Sequence, residues 1–93
     1  MALSFKIEYH EQVVTDDIPK IAAAWQRKVR DAIEEKLGRS PDFFGKPLRR
    51  SLKGYRKLRV GDYRVVFRIQ GSYVRIMAIL HRSVVYLEVE KRM

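Results

Sequence analysis

The sequence predicts a small two-layer α+β domain, with helices packed on an antiparallel sheet. Three observations predict it. Ninety-three residues with 46% hydrophobic content suit one domain, spanning 1–93, with a single layered core. Residues 20–37 place apolar side chains at helical spacing. Residues 55–80 are runs of β-branched and aromatic residues divided by two tight turns. The predicted order is an N-terminal strand, a helical hairpin-like segment, and an antiparallel three-stranded meander.

Leu3 to Tyr9 alternates apolar and polar, which predicts a strand with Leu3, Phe5, Ile7 and Tyr9 inward. His10 to Asp17 reads as a short helical segment or turn, and Pro19 marks a break or a helix start. Lys20 to Leu37 is the clearest helix. Ala22, Trp25, Val29, Ala32, Ile33 and Leu37 form its apolar stripe, opposite Lys28, Arg30, Asp31, Glu34 and Glu35. Trp25 reads as a core anchor on that stripe rather than a base-stacking residue. Gly38 is placed to end the helix. Ser40 to Lys53, broken by Pro41, Gly45 and Pro47, reads as a basic loop tacked down by Leu48 and Leu52.

Tyr55 to Ile69 is a β-hairpin closed by Gly61-Asp62. A two-residue loop pairs Val60 with Tyr63, Arg59 with Arg64, Leu58 with Val65 and Lys57 with Val66. Leu58, Val60, Tyr63, Val65 and Phe67 then share a core face, and Lys57, Arg59, Arg64 and Arg68 share the other. A third strand, Tyr73 to Leu80, follows the turn at Gln70-Gly71-Ser72. Regular alternation turns Val74, Ile76, Ala78 and Leu80 to the core, and Tyr73, Arg75 and Met77 to the basic face. The basic face is expected to stand uncovered. By the same parity His81 lies with the basic residues and Arg82 points to the core, so the strand is expected to bend or end near His81. Periodicity leaves His81 to Met93 open between strand and helix.

Charge is the strong compositional signal. The net charge is +9. Residues 1–44 hold seven Lys and Arg against eight Asp and Glu, whereas residues 45–93 hold thirteen against three. A basic half of this kind predicts a polyanionic partner, with nucleic acid first. The absence of cysteine excludes disulfides and thiolate metal sites and suits a reducing, cytoplasmic setting. MALSFKIEYH shows no signal-peptide pattern, and no run approaches the roughly 18 apolar residues of a membrane span. Two histidines without a carboxylate cluster predict no metal site, and no glycine-rich phosphate loop occurs.

Arg59 and Arg64 are predicted to lie directly opposite one another. Like charges in that relation are destabilising unless solvent screens them or an anion completes the site. Edge protection by exposed charge is the plainer reading of Lys57, Arg59 and Arg68. The segment GKPLRRSLKGYRKLRVGDYRVVFRI, followed by AILHRSVVY, resembles the RelE/ParE superfamily of bacterial and archaeal toxins over nearly the whole chain. The resemblance implies a RelE-like fold and a toxin held inactive by a cognate antitoxin protein. RelE-like members cut messenger RNA in the ribosomal A site. ParE-like members poison DNA gyrase without nuclease activity, and a degenerate relative would only bind antitoxin.

RelE-type cleavage depends on two lysines in the second strand, an arginine in the third, an arginine after the fourth and a tyrosine near the C-terminus. By resemblance, Arg64, Arg82 and Tyr86 match the last three and Lys57 one of the lysines. The other lysine position falls on Tyr55, with Arg56 adjacent, which departs from the pattern. RNA supplies its own nucleophile, the 2′-hydroxyl, so the enzyme must take its proton, stabilise the phosphorane and help the 5′-oxygen leave. Guanidinium groups suit the phosphate because their donors match it bidentately. Lys57 is the candidate base, Arg64 and Arg82 the phosphorane contacts, and Tyr86 the stacking or orienting group. Lys53, Arg56, Arg59, Arg68 and His81 are expected to bind nucleic acid around them. Neither a metal nor a small-molecule cofactor is expected.

Overall fold

A computed structural model describes residues 4–93. Its centre is a five-stranded sheet in the order β1-β5-β4-β3-β2. The hairpin pairs β3 (Arg56–Val60) with β4 (Tyr63–Gln70) in the register that a two-residue loop dictates, Val60 opposite Tyr63 and Arg59 opposite Arg64. β5 (Tyr73–His81) returns antiparallel along β4. The N-terminal strand β1 (Lys6–Tyr9) runs parallel to β5, Lys6 opposite Tyr73 and Tyr9 opposite Ile76, which settles its neighbour. Leu3 lies outside the described residues. Ser40 to Lys53 is not simply a loop: it contains the one-turn α3 (Pro41–Phe44), the two-residue β2 (Lys46–Pro47) on the edge of β3, and a 3-10 turn at Arg50–Leu52.

The first helical segment runs from a π turn, Val13–Asp17, into α1 (Ile18–Lys20). Proline at position 19 cannot donate, and the backbone just before it widens so that Ile18 N–H reaches Val13 O. The chain then breaks at Ile21 and Ala22, both extended, and α2 begins at Ala23 rather than Lys20. Gln26 covers the break by donating its amide to Ile18 O and Ile21 O, each at 2.8 Å. Ala22 therefore sits exposed at the start of the helix instead of on its buried stripe. α2 (Ala23–Ala32) closes in a π turn, Ile33–Leu37, before Gly38.

Val29, Ile33 and Leu37 meet Leu58, Val65, Phe67, Val74, Ile76 and Ile79 in the main core, with Phe5, Ile7, Trp25, Val60 and Tyr63 packed against it. Tyr9, expected inward, stays partly exposed at a cavity of about 450 Å³ between α1 and α2. Burial first and the Glu34 carboxylate second hold its phenol above its ordinary pKa. Trp25 anchors the hairpin turn: its ring lies on Gly61, where a Cβ would fall 2.4 Å from the indole. Gly61 also has φ +59°, a conformation that side chains resist. Gly61→Ala is expected to destabilise the domain by about 1–3 kcal/mol from overpacking, with about 1–2 kcal/mol more from the left-handed backbone. A loss of only about 1–2 kcal/mol, the backbone's share, would show that Trp25 swings aside freely.

Regular alternation fails in β5. Val66 pairs with Ala78, but Phe67 pairs with Ile76, so Met77 is an extra residue. This bulge reverses the facing of everything after it. Ile79 turns to the main core, whereas Ala78 and Leu80 turn to the other face, contrary to the simple parity. There they meet the C-terminal helix α4 (Val85–Arg92). Val66, Met77, Ala78, Val85, Val89 and Leu52 make a second core, with Leu48, Tyr55, Leu80 and Tyr86 around it. The face expected to stand uncovered is thus capped in part by α4. The basic loop tacks down through Leu48 and Leu52, but onto this second core.

One buried ion pair ties the two helical layers together around the sheet edge. β1's ladder ends at Tyr9, so the edge of β5 beyond Ile76 has no strand beside it. Asp17 fills that place, its Oδ2 accepting from Ile79 N–H at 3.0 Å. Arg92 donates to Asp17 at 2.6 and 2.8 Å and to Met77 O at 2.9 Å. The side chains are only 3% and 2% exposed. The hydrogen bond to Asp17 raises the Arg92 pKa against the opposing effect of burial. Its Nε faces Glu88 at 3.7 Å, too far for a hydrogen bond.

Candidate nucleic-acid interface

The hairpin brings Lys57, Arg59 and Arg64 onto one face of the sheet, as strand alternation requires. Lys57 pairs with Val66, whose side chain lies in the second core, so α4 is the nearest neighbour on that side. α4 presents Tyr86 there, with the Lys57 ammonium 5.8 Å from the centre of its ring. Tyr86 is half-buried against the second core, which limits its motion. The conflict between Arg59 and Arg64 is resolved by bending one of them away. Arg64 Nη1 donates to Gly61 O and Tyr63 O, each at 2.9 Å, while Arg59 remains exposed. Two carbonyls thus hold the Arg64 guanidinium at the turn, with its other donors left for an anion.

Arg82 reaches the same turn from β5. The strand ends at His81, and the backbone N–H of Arg82 donates to Asp62 O at 2.8 Å. Its side chain turns toward solvent rather than the core, with Nε 3.7 Å from Asp62 Oδ1. An exposed pair this long is weak, so a phosphate can displace Asp62 from Arg82 at little cost. His81 pairs with Tyr63, the rings 6.4 Å apart, and its Nδ1 is held by Ser83 Oγ at 2.8 Å. The bulge therefore moves His81 off the face of Lys57 and Arg64, which regular alternation assigns it.

The remaining basic residues disperse. Arg56 pairs with Phe67 and so lies on the main-core face, where Nη1 donates to Gly45 O at 3.0 Å and Asp42 O at 3.3 Å. It caps the end of α3. Arg68 lies along the open part of the sheet, 5.8 Å from the Tyr55 ring, and pairs with Arg75. Lys53 is exposed beyond the 3-10 turn.

A cavity of about 320 Å³ opens at the outer edge of β3. Lys57, Arg59 and Arg64 line it from the hairpin, and Lys36, Phe44 and Lys46 line it from the α2–α3–β2 stretch. Sequence reasoning did not single out those last three. The signal for Phe44 and Lys46 was present as Phe-Phe-Gly-Lys-Pro, an aromatic pair beside a cation at a break, but only the close approach at Gly45 places it near the hairpin. A Cβ at Gly45 would fall 2.2 Å from Cζ of Phe67, so the chain there lies directly on the core. No helix among the described residues is long and apolar enough to cross a membrane.

Comparison with known proteins bears on the family and the fold. Residues 7–86 match the family model described as the ParE toxin of the type II toxin–antitoxin system, parDE. No curated protein matches. Among solved structures, a chain of the toxin–antitoxin complex RelBE2 from Mycobacterium tuberculosis superimposes with a TM-score of 0.79 at 29% identity, over 87% of this chain and 94% of that one. A mutant of the Escherichia coli toxin RelE in the free state gives 0.74 at 18% identity, over 97% and 98%. The RelB–RelE antitoxin–toxin complex from Methanococcus jannaschii gives 0.67 at 19% identity, over 87% and 96%. The last two likenesses concern the fold alone. With the family model matched from β1 into α4, over the hairpin that carries Lys57 and Arg64, this chain belongs to the ParE toxin family of type II toxin–antitoxin systems, within the RelE/ParE toxin superfamily.

Proposed function

We propose that this toxin is an endoribonuclease that cuts messenger RNA on the ribosome, through attack of the 2′-hydroxyl on the adjacent phosphate. The observation that carries it is the position of Lys57, which shares a cavity with Arg59 and Arg64 and places its ammonium 5.8 Å from the Tyr86 ring. Lys57, as its neutral amine, takes the 2′-hydroxyl proton, and Arg64 and Arg82 stabilise charge on the phosphorane; the P–O5′ bond breaks, the 5′-oxygen takes a proton from water, a 2′,3′-cyclic phosphate remains, and Tyr86 orients the nucleotide. The partners are the ribosome and its messenger, and a cognate antitoxin whose segments cover the basic half. A half with thirteen cations against three carboxylates would otherwise attract nucleic acid indiscriminately.

Two observations favour a second reading, inhibition of DNA gyrase. The matching family model is that of ParE toxins, and Tyr55 stands where RelE-type cleavage has its other lysine. Purified ribosomes programmed with a defined messenger separate the two. The expected result is messenger cleavage by wild type, with Lys57→Ala reduced at least tenfold and its residual rate rising with pH as hydroxide substitutes for the base. An intact messenger combined with loss of gyrase supercoiling would overturn the ribonuclease reading and leave the gyrase one.

A further inference from the structure

The cavity at the edge of β3 contains more than the proposed chemistry uses. Lys36, Lys46 and Phe44 come from outside the hairpin, and none has a role in proton transfer or phosphorane stabilisation. Five cations line the space, and among the described residues lining it there is no carboxylate. β2 pairs only with Arg56 and Lys57, so the backbone of β3 from Leu58 to Val60 has no strand on its outer side. The peptide groups there that face away from β4 have no ladder partner.

Phe44 supplies an aromatic surface held in place. It ends α3, where Pro41 opens the turn, Gly45 rests on Phe67 and Arg56 caps the carbonyls of Asp42 and Gly45. Phe43 abuts it edge-on, 5.0 Å between ring centres at 87°. Phe44 is nevertheless 39% exposed and Phe43 75%. The Lys36 ammonium stands 5.7 Å from the Phe44 ring. At an exposed site such a contact is worth about 0.5–1 kcal/mol, less than the roughly 1–3 kcal/mol of a base stacked on an aromatic ring. A base therefore displaces the lysine from the ring, and the freed ammonium is available to a phosphate.

We propose that this cavity seats one RNA nucleotide next to the reacting phosphate, its base stacked on Phe44 and its backbone held by Lys36 and Lys46. The assignment rests on the ribonuclease reading for the identity of the strand. It makes Phe44 a binding residue for the nucleotide that neighbours the cut. A ring face recognises any base, so the selectivity it gives is for a base over no base, and for unpaired RNA over duplex.

The test uses the full chain and a fluorescein-labelled single-stranded oligoribonucleotide, compared with the same strand made abasic at each position in turn. Wild type should lose about 5- to 160-fold in affinity when one particular base is removed. Phe44→Leu, which keeps apolar bulk without a ring, should bind the intact strand more weakly by the same factor and be indifferent to that base. Phe44→Tyr should restore the discrimination. Lys46→Gln should weaken both strands equally and flatten the salt dependence by about one unit. If Phe44→Leu retains the wild-type penalty for the missing base, or wild type shows no such penalty, the cavity is not a base site, even should messenger cleavage proceed. Base-dependent binding through Phe44 without any cleavage would sustain the cavity while overturning the ribonuclease reading.

Discussion

Arg64→Ala should lower the rate of messenger cleavage by a hundredfold or more on saturating ribosomes. The magnitude follows from the proposed role: a preorganised donor aimed at developing charge is commonly worth about 2.7–4 kcal/mol. The geometry explains why Arg64 rather than Arg59 should show it. Arg64 is anchored by Gly61 O and Tyr63 O, whereas Arg59 stands exposed. A guanidinium already held in position loses little freedom when the phosphorane forms. Truncation also removes two neutral-acceptor bonds at the turn, so the variant's thermal midpoint must be measured beside its rate. Arg64→Lys should keep the charge, lose the fork and recover only part of the activity. By contrast, Lys53→Ala, exposed beyond the 3-10 turn, should weaken ribosome binding with the cleavage rate at saturation unchanged. Wild-type cleavage by Arg64→Ala would remove the arginine from the mechanism.

Asp17→Ala should be the most destabilising single substitution outside the hydrophobic cores. It leaves Arg92 buried without its counter-ion and Ile79 N–H without an acceptor. Breaking one partner of a buried pair typically costs about 3–5 kcal/mol. In a domain of this size each kcal/mol moves the melting temperature by about 4–8 °C, so a fall of at least about 12 °C is expected. Asp17→Leu combined with Arg92→Leu should recover part of the loss, because no charge then remains buried. Recovery should be incomplete, since Ile79 N–H and Met77 O lose their partners and each unsatisfied group costs about 1–3 kcal/mol. A melting temperature within a few degrees of wild type for Asp17→Ala would show that Arg92 escapes to solvent and that α4 is held by its apolar face alone.

The local part of the molecule is legible in the chain alone. Gly61-Asp62 between two β-rich runs dictates the β3–β4 register, and with it the shared face of Lys57, Arg59 and Arg64, because a two-residue turn admits one pairing and side chains alternate. The stripe from Val29 to Leu37 determines the helix that covers the main core for the same reason, a period written within a few residues. Whatever depends on distant partners emerges only when the chain is folded. The extra residue at Met77 leaves no mark in composition or spacing, yet it turns Ala78 and Leu80 to the far face, moves His81 to the side of Tyr63 and creates the surface that α4 covers. The start of α2 was set by Pro19 together with a glutamine reaching back to two carbonyls. Arg56 and Arg59, near neighbours in a basic run, separate because one points to α3 and the other to solvent. Asp17 and Arg92 are 75 residues apart, and no local signal pairs them. They meet where β1 stops short of the end of β5, leaving the Ile79 N–H and Met77 O at a buried edge that Asp17 and Arg92 reach from the two helical layers.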